Sequence, residues 1–133
     1  NHLEEWTARR VRNANVLKEL MSDLPLEFQS VLPGAEHVYH QFTVRIPEHR
    51  DAVAAYLREH GVGCEIYYPL PIHQQPLYKR MGYDVSLPHT ERAAQEVLSL
   101  PVHPSLSDAD LFTVARTMRE ALAAVQTEAI AAR

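Results

Sequence analysis

The apolar residues of this chain change their spacing several times along its length, and that change restricts the fold more than any other feature. Leu3, Trp6, Val11, Ala14, Leu17 and Leu20-Met21 recur mostly every three or four residues, the period of one helix face. Val38, His40, Phe42, Val44 and Ile46 then alternate with polar or exposed-type residues, the period of a half-buried strand ended by Pro47. Helical spacing returns in Glu48–His60, with Ala52, Val53, Tyr56 and Leu57 on its apolar side and Gly61 as the stop. Alternation resumes over Val62–Tyr68, where Cys64, Ile66 and Tyr68 share a face opposite Glu65 and Tyr67.

The remainder continues this pattern. Leu26 to Pro33-Gly34 reads as a short extended segment closed by a turn. Gln74–Met81 reads as a short helix stopped by Gly82, and Thr90 as the cap of a helix through Val97. Leu98–Val102 is a short apolar strand. Ser107 with Asp110 three residues later forms a near capping box for a last helix, whose face is Leu111, Val114, Ala115, Met118, Leu122 and Val125. Its end, from Gln126, is expected to fray. The expected fold is a small two-layer α/β domain: a mainly antiparallel three-stranded sheet with helices packed on one face.

A chain of 133 residues is one domain's worth. With a net charge of -4 it lacks the basic excess of a nucleic-acid binder, and none is expected as a partner. No apolar run reaches the roughly 20 residues of a membrane span. A single cysteine, Cys64, permits no internal disulfide and suits a reducing, cytoplasmic compartment. The chain begins with Asn1 rather than Met and enters a helical pattern almost at once. It is therefore expected to be an internal piece of a longer protein or a trimmed product.

Eight histidines raise the question of a metal. The only short pair, His37 and His40, falls on opposite faces of the expected strand, and no His-Glu-x-x-His occurs, so no metal site is expected. Cys64 lies among apolar neighbours, where a thiol is usually inert. Four glycines offer no phosphate-cradling loop. The segment that stands out is Tyr67-Tyr68-Pro69-Leu70-Pro71-Ile72-His73. Two aromatics end a strand, and two prolines then hold the chain extended. Read structurally, Tyr68 is core, Tyr67 is surface and His73 is a helix cap. Read functionally, Tyr67, Tyr68 and His73 are hydrogen-bonding groups for a sugar or phosphate.

Tyr68-Pro69-x-Pro71-Ile72-His73-x-Gln75-x-x-Tyr78 resembles the signature loop in the small domain of the DegT/StrS-type sugar aminotransferases. Asn13-Ala14-Asn15, His37-x-Tyr39-His40-Gln41-Phe42-x-Val44, Leu57-x-x-x-Gly61-Val62-Gly63 and Leu98-Ser99-Leu100-Pro101-Val102-x-Pro104 resemble further family segments in the same order. The resemblance runs from about Trp6 to Leu122. It implies that residues 1–133 are the carboxyl-terminal small domain of an aspartate-aminotransferase-type fold, with residues 1–23 the helix that links it to a large PLP-binding domain. It also implies a homodimer with active sites at its interface. The reaction implied transfers an amino group from glutamate to a keto nucleotide-sugar, as in polysaccharide or deoxyaminosugar biosynthesis.

By the same resemblance His73, Tyr68, Tyr67 and His40 contact the substrate, although Tyr67 stands where many relatives have His. Arg45 is a weaker candidate for a phosphate contact. The wording Glu65-Ile66-Tyr67-Tyr68-Pro69 is nearest to enzymes acting on 3-keto UDP-sugars. The lysines here, Lys18 and Lys79, do not match the position of the family's Schiff-base lysine. No catalytic or cofactor-binding residue is therefore assigned to this chain, and PLP is expected in the parent protein only. The alternative is a free-standing ligand-binding or oligomerisation α/β domain without catalysis.

Overall fold

A computed structural model describes residues 2–131. Its centre is a short antiparallel pair. Strand β2 (Phe42–Arg45) lies against β3 (Val97–Leu100) with Phe42 opposite Leu100, Thr43 opposite Ser99, Val44 opposite Leu98 and Arg45 opposite Val97. This register places Phe42, Val44, Leu98 and Leu100 on one face, all buried, and Thr43 and Ser99 on the other, where their hydroxyls meet at 2.8 Å. The two-residue β1 (Glu27–Phe28) pairs with the free side of β2, so the sheet order is β1-β2-β3, antiparallel throughout.

Helices cover the apolar face. Helix α1 (Leu3–Leu20) buries Ala14 and Leu17, with Met21 just beyond its end, in one cluster with α2 (Arg50–Glu59) and α5 (Asp108–Ala131). The α5 residues Leu111, Val114, Ala115, Met118, Leu122 and Val125 are all buried, as their spacing predicts. Ser107 and Asp110 form the reciprocal cap: the Ser107 N–H donates to the Asp110 carboxylate at 2.8 Å, and the Asp110 N–H donates to Ser107 Oγ at 3.2 Å. Helix α2 ends at Gly61, whose φ of +80° lies in the left-handed region. The Gly61 N–H meets Arg58 O and the Val62 N–H meets Leu57 O, the paired closure of a Schellman motif.

The three-stranded antiparallel sheet with helices on one face is as expected, but its membership differs. Val62–Tyr68 is not a strand. Only Glu65 bridges to Ser99, through mutual N–H to carbonyl bonds of 3.1 and 2.8 Å. Pairing ends at that bridge, and Pro69 and Pro71 beyond it have no N–H to give to a ladder. The extended segment near Leu26 supplies the third strand instead. The alternation over Val38–Ile46 yields a strand only from Phe42. Tyr39 sits at a φ of +45°, its N–H bonded to His37 Nδ1 at 2.9 Å, and its buried ring stacks on the His37 ring at 4.0 Å. The chain is thus turned before the strand begins.

Between the Glu65 bridge and β3 the chain makes a long excursion. It contains a single 3-10 turn at Ile72–Gln74, then α3 (Pro76–Arg80) and α4 (Pro88–Glu96). Helix α4 starts at Pro88, not at Thr90, with proline at the first helical position where its missing N–H costs nothing. Arg50, 7% exposed, holds the other end of α4 by donating to the carbonyls of Ala94 and Val97 at 3.1 and 2.8 Å. Helix α5 runs through Ala131.

Candidate functional site

The diproline segment forms one wall of a cleft of about 490 Å³. Tyr67, Tyr68, Pro71 and Ile72 line that wall. Thr90, Ala93, Ala94 and Val97, from α4 and the start of β3, line the other, and Tyr78 of α3 also contributes. The geometry follows from local sequence. Pro71 is extended at a ψ of 148°, the 3-10 turn reverses the chain, and Gln75 extends again before Pro76 opens α3. The Tyr67–Tyr68 peptide bond is cis, and the two rings meet edge to face with centroids 5.7 Å apart.

The sequence-predicted residues occupy different environments. Tyr68 is 72% exposed, so it does not join Cys64 in the core as the strand alternation predicted. Tyr67 is 43% exposed and is shared between this cleft and a second groove of about 470 Å³. That groove carries Arg10, His40, Glu65 and His103, whereas no charged or imidazole side chain lines the first. His40 is exposed there, but it precedes β2 instead of lying on it. Arg10 is fixed by donating to the Val38 carbonyl at 3.2 Å and to Thr7 Oγ1 at 2.9 Å.

His73 is neither a helix cap nor a group presented past the sheet edge. It is 7% exposed and lies inside the 3-10 turn, where its Nε2 is 3.0 Å from a Glu91 carboxylate oxygen. The same oxygen accepts the Leu87 backbone N–H at 2.7 Å. The Leu87 N–H first, and His73 next, hold the Glu91 carboxyl below the ordinary glutamate range. His73 thus binds the diproline wall to α4 and is not among the residues lining the cleft.

Arg45, the phosphate candidate, is occupied. It bonds Glu96 through two of its nitrogens and Glu27 at 2.5 Å, and Glu96 is the first cause of its raised pKa. These bonds tie β2 to β1 and to the end of α4.

Sequence reasoning missed Glu91, Arg10 and His103. For Glu91 there was a signal: an acid in the first turn of a helix opened by proline, where it reaches back to the backbone N–H at the cap. Arg10 and His103 gave none, because the groove joins segments more than ninety residues apart.

A PLP site needs a lysine amine free to form a Schiff base. Lys18 Nζ lies 2.7 Å from the Tyr39 hydroxyl, and Lys79 Nζ lies 3.7 Å from Asp84. Neither lysine lines the two grooves that meet at Tyr67. The residues of this chain therefore do not fit a complete cofactor site. Among the described residues no cluster of three or more His, Cys, Asp or Glu is placed to hold a metal ion, and no helix is long and apolar enough to cross a membrane.

The chain is similar to known proteins over most of its length. The profile of the DegT/DnrJ/EryC1/StrS aminotransferase family matches residues 1–119. A pleiotropic regulatory protein of Geobacillus stearothermophilus is 42% identical over 112 residues, which are 80% of this chain and 30% of that protein. The UDP-N-acetyl-3-dehydro-alpha-D-glucosamine 3-aminotransferase of Acidithiobacillus ferrooxidans is 35% identical over 121 residues, 91% of this chain and 32% of the relative. Among solved structures, the aminotransferase TlmJ from Streptoalloteichus hindustanus superposes with a TM-score of 0.84 at 36% identity, over 93% of this chain and 34% of its own. The chain spans about a third of the length of the relatives it matches. On the profile match and these identities, it belongs to the DegT/DnrJ/EryC1/StrS aminotransferase family.

Proposed function

We propose that this chain is the small domain of a PLP-dependent nucleotide-sugar aminotransferase, and that its two grooves at Tyr67 and Tyr68 receive the nucleotide-sugar. The observation that carries the proposal is the position of these two tyrosines. Tyr68 lines a cleft with apolar and aromatic walls, and Tyr67 stands between that cleft and a groove bearing a guanidinium and two imidazoles. A nucleotide-sugar has the matching parts: a flat base that stacks on an aromatic ring, an anionic diphosphate and a hydroxyl-rich ring.

Each residue has a task in that reading. Tyr68 offers an exposed ring and hydroxyl to the ligand. Tyr67 lies between the two grooves and contacts both parts of it. His40 and Arg10 donate to anionic or hydroxyl oxygens. His73 fixes the wall on which Tyr68 stands. The family is PLP-dependent, and PLP supplies the electron sink for amino transfer when bound. Because this chain's lysines are engaged elsewhere, the cofactor is assigned to another part of the polypeptide. Glutamate as amino donor and a homodimer are assigned to the whole protein. The keto UDP-sugar named for the Acidithiobacillus relative supports a UDP-linked, 3-keto substrate. Helix α1 is assigned as the link to the cofactor domain, supported by its first turns, where Leu3 and Trp6 are 69% and 49% exposed.

The test is a titration of UDP-N-acetylglucosamine and dTDP-glucose into the protein expressed from its complete reading frame. Saturable binding is expected, weakened by Tyr68→Ala. Unchanged affinity in both Tyr67→Ala and Tyr68→Ala removes the grooves from the substrate path. It would return the chain to a domain whose ligand, if any, binds elsewhere.

A further inference from the structure

We propose that Glu91 is a positioning residue that sets the width of the substrate cleft, acting through His73. The inference rests on reading that cleft as the nucleotide-sugar site. The two walls of the cleft come from separate pieces of chain, the diproline segment and α4, so something must fix the distance between them. At its carboxyl end α4 is fastened to the domain by Arg50 and by the Arg45–Glu96 pair. At its amino end Glu91 makes the attachment. One carboxylate oxygen accepts from the backbone N–H of Leu87, which fixes the carboxylate on the helix. It also accepts from His73 Nε2, which fixes the opposite wall to that carboxylate.

Several features make the link rigid. His73 is buried, so water competes poorly for its ring nitrogen. Pro71 and Pro76 bracket the turn that carries it, so the wall is stiff and moves as one piece with His73. Tyr68 and Ile72, on the same wall, are 72% and 65% exposed and have little packing of their own to hold them in place. Their placement relative to Thr90 and Ala93 therefore depends on the His73–Glu91 bond. Neither His73 nor Glu91 lines the cleft, so the effect on a ligand is indirect.

The experiment measures dissociation constants for UDP-N-acetylglucosamine and dTDP-glucose on the protein from its complete reading frame, with hydrogen exchange at the Leu87 amide read in parallel. His73→Phe keeps an aromatic ring, removes the donor and leaves the cap on Leu87 intact. Glu91→Ala removes both bonds. Each is expected to weaken binding roughly tenfold, the scale of one charge-assisted hydrogen bond, and the double variant is expected to lose no more than the worse single one. Glu91→Gln retains an acceptor oxygen for both donors and should recover most of the affinity. Leu87 exchange should accelerate in Glu91→Ala and not in His73→Phe.

If Glu91→Ala does not fold, His73→Phe carries the test alone. Wild-type affinity in His73→Phe overturns the proposal. So does a Glu91→Gln as weak as Glu91→Ala, because a charge would then be acting on the ligand directly. Additive losses in the double variant overturn it as well. Tyr68→Ala separates the two readings. If it weakens binding while His73→Phe does not, the positioning role alone falls. If neither weakens binding, or the wild type binds neither probe, the nucleotide-sugar reading falls with it.

Discussion

The Asn13 carboxamide donates to the main-chain carbonyl of His103 across 3.0 Å, joining the middle of α1 to the turn that follows β3. Asn13 is 2% exposed, and its own oxygen accepts from Arg12, which also pairs with Asp108 at the start of α5. A buried amide with satisfied partners stabilises a single packing of the helix against that turn. Asn13→Ala leaves the carbonyl unpaired and is expected to cost about 1–3 kcal/mol. Asn13→Asp replaces the donor with a carboxylate facing a carbonyl and should cost more. Urea midpoints compared at constant slope give both values.

Phe42 and Tyr68 should separate stability from function. Phe42 is fully buried in the cluster between the sheet and the helices, and Phe42→Ala is expected to cost about 3–5 kcal/mol. Tyr68 is mostly exposed, and Tyr68→Ala should stay within about 0.5 kcal/mol of the parent. Thermal melts of the two variants beside the nucleotide-sugar titration test this. A Tyr68→Ala that unfolds the protein would identify the tyrosine as a packing residue.

How far the sequence foretold this arrangement depended on the range of the forces involved. Period and capping are local, so α1, α2 and α5 were legible, down to the Ser107–Asp110 cap and the Gly61 stop. Alternation misled where a non-local condition decided the outcome. Val62–Tyr68 alternates like a strand, but a strand also needs a neighbour with free N–H and carbonyl groups, and two prolines follow the Glu65 bridge. Likewise Val38 to Gln41 alternates, yet the left-handed Tyr39 turns the chain out of line with β2.

The site was legible in part. The order Tyr-Tyr-Pro-x-Pro singled out a segment whose two tyrosines are exposed at a cleft. The role given to His73 did not follow from its place in that segment. Its environment is set by Glu91, eighteen residues away, after an intervening helix. The Arg45 guanidinium likewise meets Glu27 and Glu96, partners that only the sheet register brings together. Charge pairing across a fold is not a sequence-local quantity.

Acid should loosen the cleft before it unfolds the core. The Glu91 carboxyl is held below its ordinary range by the Leu87 N–H and His73, and Asp23 is held low by the Arg119 side chain. A depressed folded pKa means that the unfolded chain takes up protons first as pH falls. The stabilisation is therefore fully present above the unfolded values, about 3.9 for Asp and 4.3 for Glu, and is lost as pH drops through the folded ones. Melting temperature should be flat in these two groups from pH 7 to about 5.5 and fall below about pH 4.5. Both carboxyls are exposed to solvent screening, so the slope is expected to be shallow. Glu91→Gln should flatten it further, and a melting series at constant ionic strength for the two proteins would show it.

The lysines allow a direct test of where the cofactor chemistry resides. Lys18 is half-buried, bonded to the Tyr39 hydroxyl and 5.1 Å from the Tyr39 ring centroid, so its amine is held against Tyr39 and shielded from reagent. Lys79 is exposed and pairs loosely with Asp84, so it should react like any surface lysine. Incubating the 133-residue chain with PLP, reducing with borohydride and mapping the adducts by mass spectrometry should therefore find Lys79 labelled in proportion to reagent, with Lys18 nearly untouched. Lys18→Met should leave that pattern unchanged while loosening the packing of α1 on Tyr39. A stoichiometric adduct on Lys18 at low reagent would mean that the amine leaves Tyr39 for a cofactor pocket built by this chain, and the assignment of the Schiff-base lysine to another part of the polypeptide would have to be withdrawn.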